Sequence, residues 1–311
     1  MSQRVAVTGA AGLIGSAVVR RLVEQGQSVL ALDVEEAADT AVPGTAVSVT
    51  AVDVADASLW AILDGFGPDS VVHAAAHPGG KSLAEPSENA RVNALGSMRV
   101  FEWCTRAARP VVYLSSSVVY GDQPPGPIAE TAAVAPGTVY GVAKCAAEQW
   151  LRILGEGRGL AWTVLRLFPT YGAGHRLSLQ QGIVNVMLTQ LLQGDRVVVR
   201  GSVLRERDLV YVEDAAGAIA ASLECLAARG QVINVGTGTV VTIGNMIDAL
   251  GRALGRDSER LTVVEEAGTV GDPFSNVADI SRMQHVLGYR PQFSLDAGLR
   301  AYVRDVAMLT K

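Results

Sequence analysis

Tyr140 and Lys144 have the clearest capacity for chemistry, because the stretch YGVAK separates them by four positions. On a helix that spacing puts both side chains on one face. Tyrosine is a poor base at its reference pKa of about 10. An ammonium ~6 Å away, at an effective dielectric of about 20, favours the phenolate by roughly 2.8 kcal/mol, about two pKa units downward. Tyrosine could then accept a hydroxyl proton near neutral pH. Ser116 stands 24 positions before Tyr140, within SSSVVYG, and its hydroxyl could orient the oxygen that loses the proton. A tyrosine and a lysine four apart also occur as a plain surface pair. Serine at a strand end and a glycine-rich first turn favour the catalytic reading.

That turn is Thr8-Gly9-Ala10-Ala11-Gly12-Leu13-Ile14-Gly15, between an apolar run and a helix-like segment. Gly9, Gly12 and Gly15 permit a tight turn and let the backbone N–H groups of Leu13 and Ile14 approach a pyrophosphate at the helix N-terminus. A purely structural turn is the competing reading. Asp33 follows Gly15 by 18 positions and can accept hydrogen bonds from the ribose hydroxyls of a dinucleotide. Its charge repels the extra phosphate of NADP, and Val34-Glu35-Glu36 offers no arginine in compensation, so NAD is the expected cofactor. A solvated strand end is the alternative for Asp33. Asp53, with Val54, could hold the adenine amino group; a helix N-cap is its rival.

The elements that must position these residues alternate. Residues 4–8, 28–33, 46–52, 70–74, 111–115 and 162–168 are short apolar runs that read as buried strands. Helix-like segments lie near 13–25, 56–64, 86–108 and 138–154. The alternation predicts an α/β protein with a doubly wound parallel sheet. Proline-rich loops at 121–137 and 169–179 leave strand ends, where such sheets bind ligands. Beyond residue 170, strands are expected at 196–200, 209–212 and 231–235, and helices near 180–193, 214–228, 242–254 and 295–308. A smaller lobe is expected there, with part of the chain returning to the main sheet.

With these motifs in place, the sequence resembles the extended short-chain dehydrogenases/reductases, and among them the NAD-dependent sugar-nucleotide 4-epimerases. The resemblance runs the length of the chain. It rests on TGAAGLIG, VVHAAA, Asn93-Ala94-Leu95-Gly96-Ser97, SSSVVYG, YGVAK with Glu148, Arg166-Leu167-Phe168, RDLVYVEDAA, NVGTG and LGYRP. It implies a Rossmann-type sheet, with residues 1–169 plus 209–236 binding NAD and residues 170–208 plus 237–311 forming a C-terminal substrate-binding lobe. By resemblance Ser116, Tyr140 and Lys144 are catalytic, and Ala74, Ala75, Asn93 and Phe168 line the cofactor. Arg207 holds a substrate phosphate, as a guanidinium can; an ion pair with Asp208, Glu206 or Glu213 is the other reading. The resemblance also implies a homodimer packed through the helices near 86–108 and 138–154. The 4,6-dehydratases of the family carry Asp and Glu after the catalytic hydroxyl residue, whereas this chain has Ser117 and Val118, which cannot protonate a leaving hydroxyl. Two departures stand out. Pro169 replaces the usual asparagine after the Arg-x-Phe motif, and Thr269 stands where an arginine usually precedes Gly-Asp.

Composition narrows the classes. A net charge of −5 without a basic block argues against nucleic acid. There is no 18-residue uninterrupted apolar run and no signal-like start, so a cytoplasmic protein is expected, with no membrane partner. The scattered Cys104, Cys145 and Cys225 read as reduced thiols. His73 and His77 straddle a strand end, a poor geometry for a metal; His175 reads as a loop residue, and the four tryptophans as packing residues. The expected reaction is epimerisation at carbon 4 of a nucleotide-linked sugar through a transient 4-keto intermediate. A cofactor-exchanging sugar dehydrogenase or 4-ketoreductase, and a non-catalytic nucleotide-sensing module, are the rivals.

Overall fold

The computed structural model describes residues 2–34, 47–174, 177–269 and 271–309. Glu35, Glu36, His175 and the first residue of the 46–52 run, Ala46, lie outside the described residues. Seven parallel strands build the central sheet: β1 (Arg4–Thr8), β2 (Ser28–Asp33), β3 (Val49–Ala51), β4 (Ser70–His73), β5 (Val111–Ser116), β6 (Trp162–Leu167) and β7 (Gln231–Val235). Their order is β3-β2-β1-β4-β5-β6-β7. The period of two explains why these runs are apolar throughout. Val5 and Val7 pack on one face with Ala17, Val18 and Leu22 of the helix Leu13–Glu24. Ala6 packs on the other with Leu59, Leu63, Phe101 and Leu151. A sheet covered by helices on both faces leaves no polar side to the strand.

Strand order reverses direction between β1 and β4, which opens a crevice at their C-terminal ends. The two ends touch there: Ala74 N–H donates to the Thr8 carbonyl at 3.2 Å. β7 brings residues 231–235 back onto the main sheet beside β6. Beyond the crevice, Glu206–Arg207 lies between Val241–Thr242 and Ser275–Ala278, and Pro127–Ile128 adds to the same four-stranded sheet. Arg196–Arg200 pairs with Thr262–Glu266.

Two expected strand bounds are corrected, and one expected helix gains a feature. The segment near 86–108 is helical throughout but changes its winding: α-helices Pro86–Ala90 and Ser97–Ala107 flank a π-helical stretch, Arg91–Gly96. Ser97 Oγ donates to the Asn93 carbonyl at 2.7 Å, and a Cβ on Gly96 would come within 2.7 Å of Val54 Cγ2. Packing against the 53–55 turn thus sets the winding that periodicity alone could not reveal. The strand expected at 46–52 is Val49–Ala51, a short sheet edge. The strand expected at 209–212 is only Val210–Tyr211, because Val212 already opens the helix Val212–Glu224, with Glu213 and Asp214 in its first turn.

Candidate active site

A cleft of about 1220 Å³ runs from the glycine turn to the four-stranded sheet that carries Arg207 and Asn276. Gly9, Gly12, Leu13, Ile14 and Gly15 line one end. Gly9 has φ +71°, and a Cβ there would sit 2.6 Å from the Ala75 nitrogen. At Gly15 a Cβ would fall 2.0 Å from the Gly9 carbonyl oxygen. Only glycine lets the turn press against β4 and the helix against the turn. The helix begins at Gly12 without a side-chain cap, so its first N–H groups suit an anion such as a pyrophosphate. Asp33 meets the same turn: its carboxylate accepts from Ala11 N–H at 2.9 Å and from Val34 N–H at 2.7 Å.

Not every expected cofactor residue faces the cleft. Ala74 and Phe168 line it, whereas Ala75 packs against the core cluster behind. Asn93 is fully buried and clamps the backbone of His77, accepting from its N–H at 2.7 Å and donating to its carbonyl at 3.0 Å. It braces the wall from behind. Asp53 accepts from Ala55 N–H at 2.8 Å and from Arg91 at 2.7 Å, and Val54 is buried. Beneath the crevice, His73 lies between Thr8 Oγ1 (2.7 Å from Nδ1) and Ser97 Oγ (3.0 Å from Nε2). Burial pushes its pKa down to about 3 and the Lys144 charge adds to this, so the imidazole is neutral. Among the described residues no cluster of His, Cys, Asp or Glu could hold a metal ion.

Local sequence brings the expected catalytic residues together. Thr138 caps the helix Val139–Arg158, its Oγ1 accepting from Gly141 N–H at 3.0 Å, so Tyr140 sits in the first turn and Lys144 one turn on. A Cβ on Gly141 would lie 3.1 Å from the Val118 carbonyl oxygen. The missing side chain lets the helix start lie against the strand-end turn that carries Ser116. Ser116, Tyr140 and Lys144 all line the cleft. Lys144 Nζ donates to the Leu114 carbonyl at 2.8 Å and lies 5.6 Å from the Tyr140 ring centroid and 4.7 Å from that of Tyr113. One further turn along, Glu148 is locked by Arg166 (2.6 Å) and accepts from Ser115 Oγ (2.5 Å).

The electrostatics differ from the sequence-based expectation. The ammonium is as close as the spacing implied, yet burial pushes the Tyr140 phenol up, to about 12. Burial also pulls Lys144 down to about 7, partly opposed by Glu148. Spacing conveys the attraction between the two groups but not the cost of removing both from water. Tyr140 in the chain alone is a protonated phenol at neutral pH.

At the other end, Arg207 Nη2 donates to Asp272 Oδ1 at 2.6 Å, and Nη1 donates to the Glu206 and Phe274 carbonyls. None of the three expected carboxylates forms the ion pair with it; Glu206 meets it only through its backbone carbonyl. Asp208 accepts from Thr237 and Gly238, Glu206 from Ser275, and Glu213 pairs with Arg20.

The family model for the NAD dependent epimerase/dehydratase family matches residues 5–236. The chain belongs to this family. Its cofactor is NAD, and the glycine cradle and Asp33 fit that group. A UDP-glucose 4-epimerase of Mycolicibacterium smegmatis is 31% identical over 95% of this chain and 96% of that one. The crystal structure of Thermotoga maritima UDP-glucose 4-epimerase with UDP-glucose superposes with a TM-score of 0.91 at 27% identity, covering 99% of this chain and 100% of that one. The Thermus thermophilus UDP-glucose 4-epimerase complex with NAD gives 0.88 at 30% identity, covering 98% and 99%.

Within this epimerase/dehydratase framework, the structure adds residues that sequence reasoning missed. Arg205 lies in the cleft beside Arg207, and both pair with Asp272. Their separation by two in an extended segment was the available signal, since it puts both on one face. Asn276 also lines the cleft, donating to Ser117 Oγ at 2.9 Å. Gly79 lies along the Tyr140 ring, where a Cβ would be 3.4 Å from Cδ1. No local pattern announces the last two, because both come from distant loops.

Proposed function

We propose that this chain interconverts sugar nucleotides epimeric at carbon 4, with Tyr140 as the proton-transferring residue. The observation that carries the reading is the meeting of Ser116, Tyr140 and Lys144 in one cleft with the glycine cradle. Gly9, Gly12, Leu13, Ile14 and Gly15 would hold NAD, which would supply reversible hydride chemistry there. Tyr140 accepts the proton of the 4-hydroxyl, and Ser116 orients that oxygen by a hydrogen bond. Lys144, tethered to the Leu114 carbonyl, supplies the charge that favours phenolate once the site is filled. Glu148, held by Arg166, lies near enough to Lys144 to oppose the loss of its proton. Arg207 grips the phosphates at the far end while the pyranose turns.

Residues 1–169 with 209–236 act as the NAD-binding part, and 170–208 with 237–311 as the substrate lobe. Exposed Leu95, Val142 and Ile153 on the neighbouring helical faces support a homodimer. The protein acts in the cytoplasm on a small soluble substrate; among the described residues no helix is long and apolar enough to cross a membrane.

The test uses the cognate sugar nucleotide carrying deuterium at carbon 4. The epimer should keep the label there, with no net NADH. Label lost to external NAD, or product formed only with stoichiometric NAD or NADH, would instead establish a dehydrogenase or ketoreductase.

A further inference from the structure

Arg205 and Arg207 are the most deeply buried cations at the lobe end of the cleft, at 7% and 4% exposure. Each is held by more than an ion pair. Arg205 donates through Nε to the Ser202 carbonyl at 3.1 Å, through Nη2 to the Arg200 carbonyl, and through Nη1 to Asp272. Arg207 donates to two backbone carbonyls and to the other oxygen of Asp272. Gly201 makes room for this arrangement, since a Cβ there would sit 2.9 Å from Arg205 Cζ.

A guanidinium has five N–H donors. After these bonds each arginine keeps two without a partner among the described residues. One carboxylate between two guanidiniums leaves a positive charge uncancelled, while Arg200 on the same wall stands opposite Glu266 in register and adds no net charge. Buried guanidiniums with unused donors call for an anion offering several oxygens. Pro169 and Thr269 face the same cleft and supply no cation.

We propose that Arg205 is a second diphosphate-binding residue, forming with Arg207 a paired clamp that Asp272 holds in register. The inference rests on the sugar-nucleotide reading and adds to it the way this chain grips its substrate. Two neighbouring guanidiniums with unused donors address two phosphoryl groups, so the clamp selects nucleoside diphosphates over monophosphates. Because every stem is tethered to backbone, little side-chain freedom is lost on binding.

The test is calorimetric titration of the NAD-loaded protein with UDP, dTDP, their monophosphates and inorganic pyrophosphate. The wild type should bind at least one nucleoside diphosphate, and Arg205→Gln should weaken that binding at least about ten-fold, as expected for lost charge-assisted hydrogen bonds. Its effect on the monophosphate should be smaller, and its NAD content unchanged. Should Arg205→Gln fail to fold, Arg205→Lys keeps the stem and charge but loses the fork, and should still cost several-fold. A folded variant at either substitution that binds the diphosphate within two-fold of wild type overturns the clamp alone. A wild type that binds none of the nucleoside diphosphates overturns the sugar-nucleotide reading and the clamp with it.

Discussion

Replacing Lys144 by methionine separates the catalytic value of that residue from its cost to the fold. The side chain is 1% exposed. Its pKa falls from 10.5 to about 7, chiefly through burial. A base with a depressed folded pKa binds protons more tightly when unfolded. Its penalty to stability is full below about pH 7 and disappears as pH rises through the unfolded value. Linkage makes the penalty roughly 4 kcal/mol at pH 7 and about 1 kcal/mol at pH 9.5. Methionine fills a similar volume and does not titrate, and Glu148 keeps its partner Arg166. The stability of Lys144→Met relative to wild type should therefore fall by roughly 3 kcal/mol between these two pH values. Packing differences shift both measurements equally and cancel. Urea unfolding of cofactor-free protein, followed by tryptophan fluorescence at each pH, reads the quantity directly. A difference independent of pH would show that Lys144 is not desolvated in the folded chain. Turnover by the variant should be lost at both pH values, since no ammonium remains to favour the phenolate.

Tyr140→Phe should lower kcat by at least ~10²-fold, as for loss of a general base, while NAD content measured after denaturation stays near wild type. Wild-type turnover in that variant would remove Tyr140 from the chemistry. Gly15→Ala should abolish NAD binding or destabilise the fold, because its Cβ would overlap the Gly9 carbonyl oxygen at 2.0 Å; a thermal melt with and without NAD distinguishes the two, and unaltered binding and stability would contradict the packing described. NAD should bind stripped protein far more tightly than NADP because of Asp33, and equal affinities by calorimetry would exclude Asp33 from the ribose site.

Much of the framework was legible in the sequence because its determinants are local. Residues 4–8 and 28–33 are β-branched and aliphatic runs of the right length, and they form β1 and β2 within those bounds. The glycine turn is dictated by backbone conformations that only glycine adopts cheaply, at Gly9 above all. The four-residue spacing of Tyr140 and Lys144 fixes their shared face once Thr138 starts the helix. What only the tertiary structure decided are quantities set by neighbours far along the chain. Asp272 rather than any adjacent carboxylate pairs with Arg207, because the strand Ser275–Ala278 lies parallel to Glu206–Arg207 and brings its preceding loop to the guanidinium. Asn93 turns inward because its amide satisfies the backbone of His77 across the π-helical stretch. The balance at Tyr140 and Lys144 was likewise invisible, since spacing reports how close two charges lie, while the water removed around them depends on every element packed above.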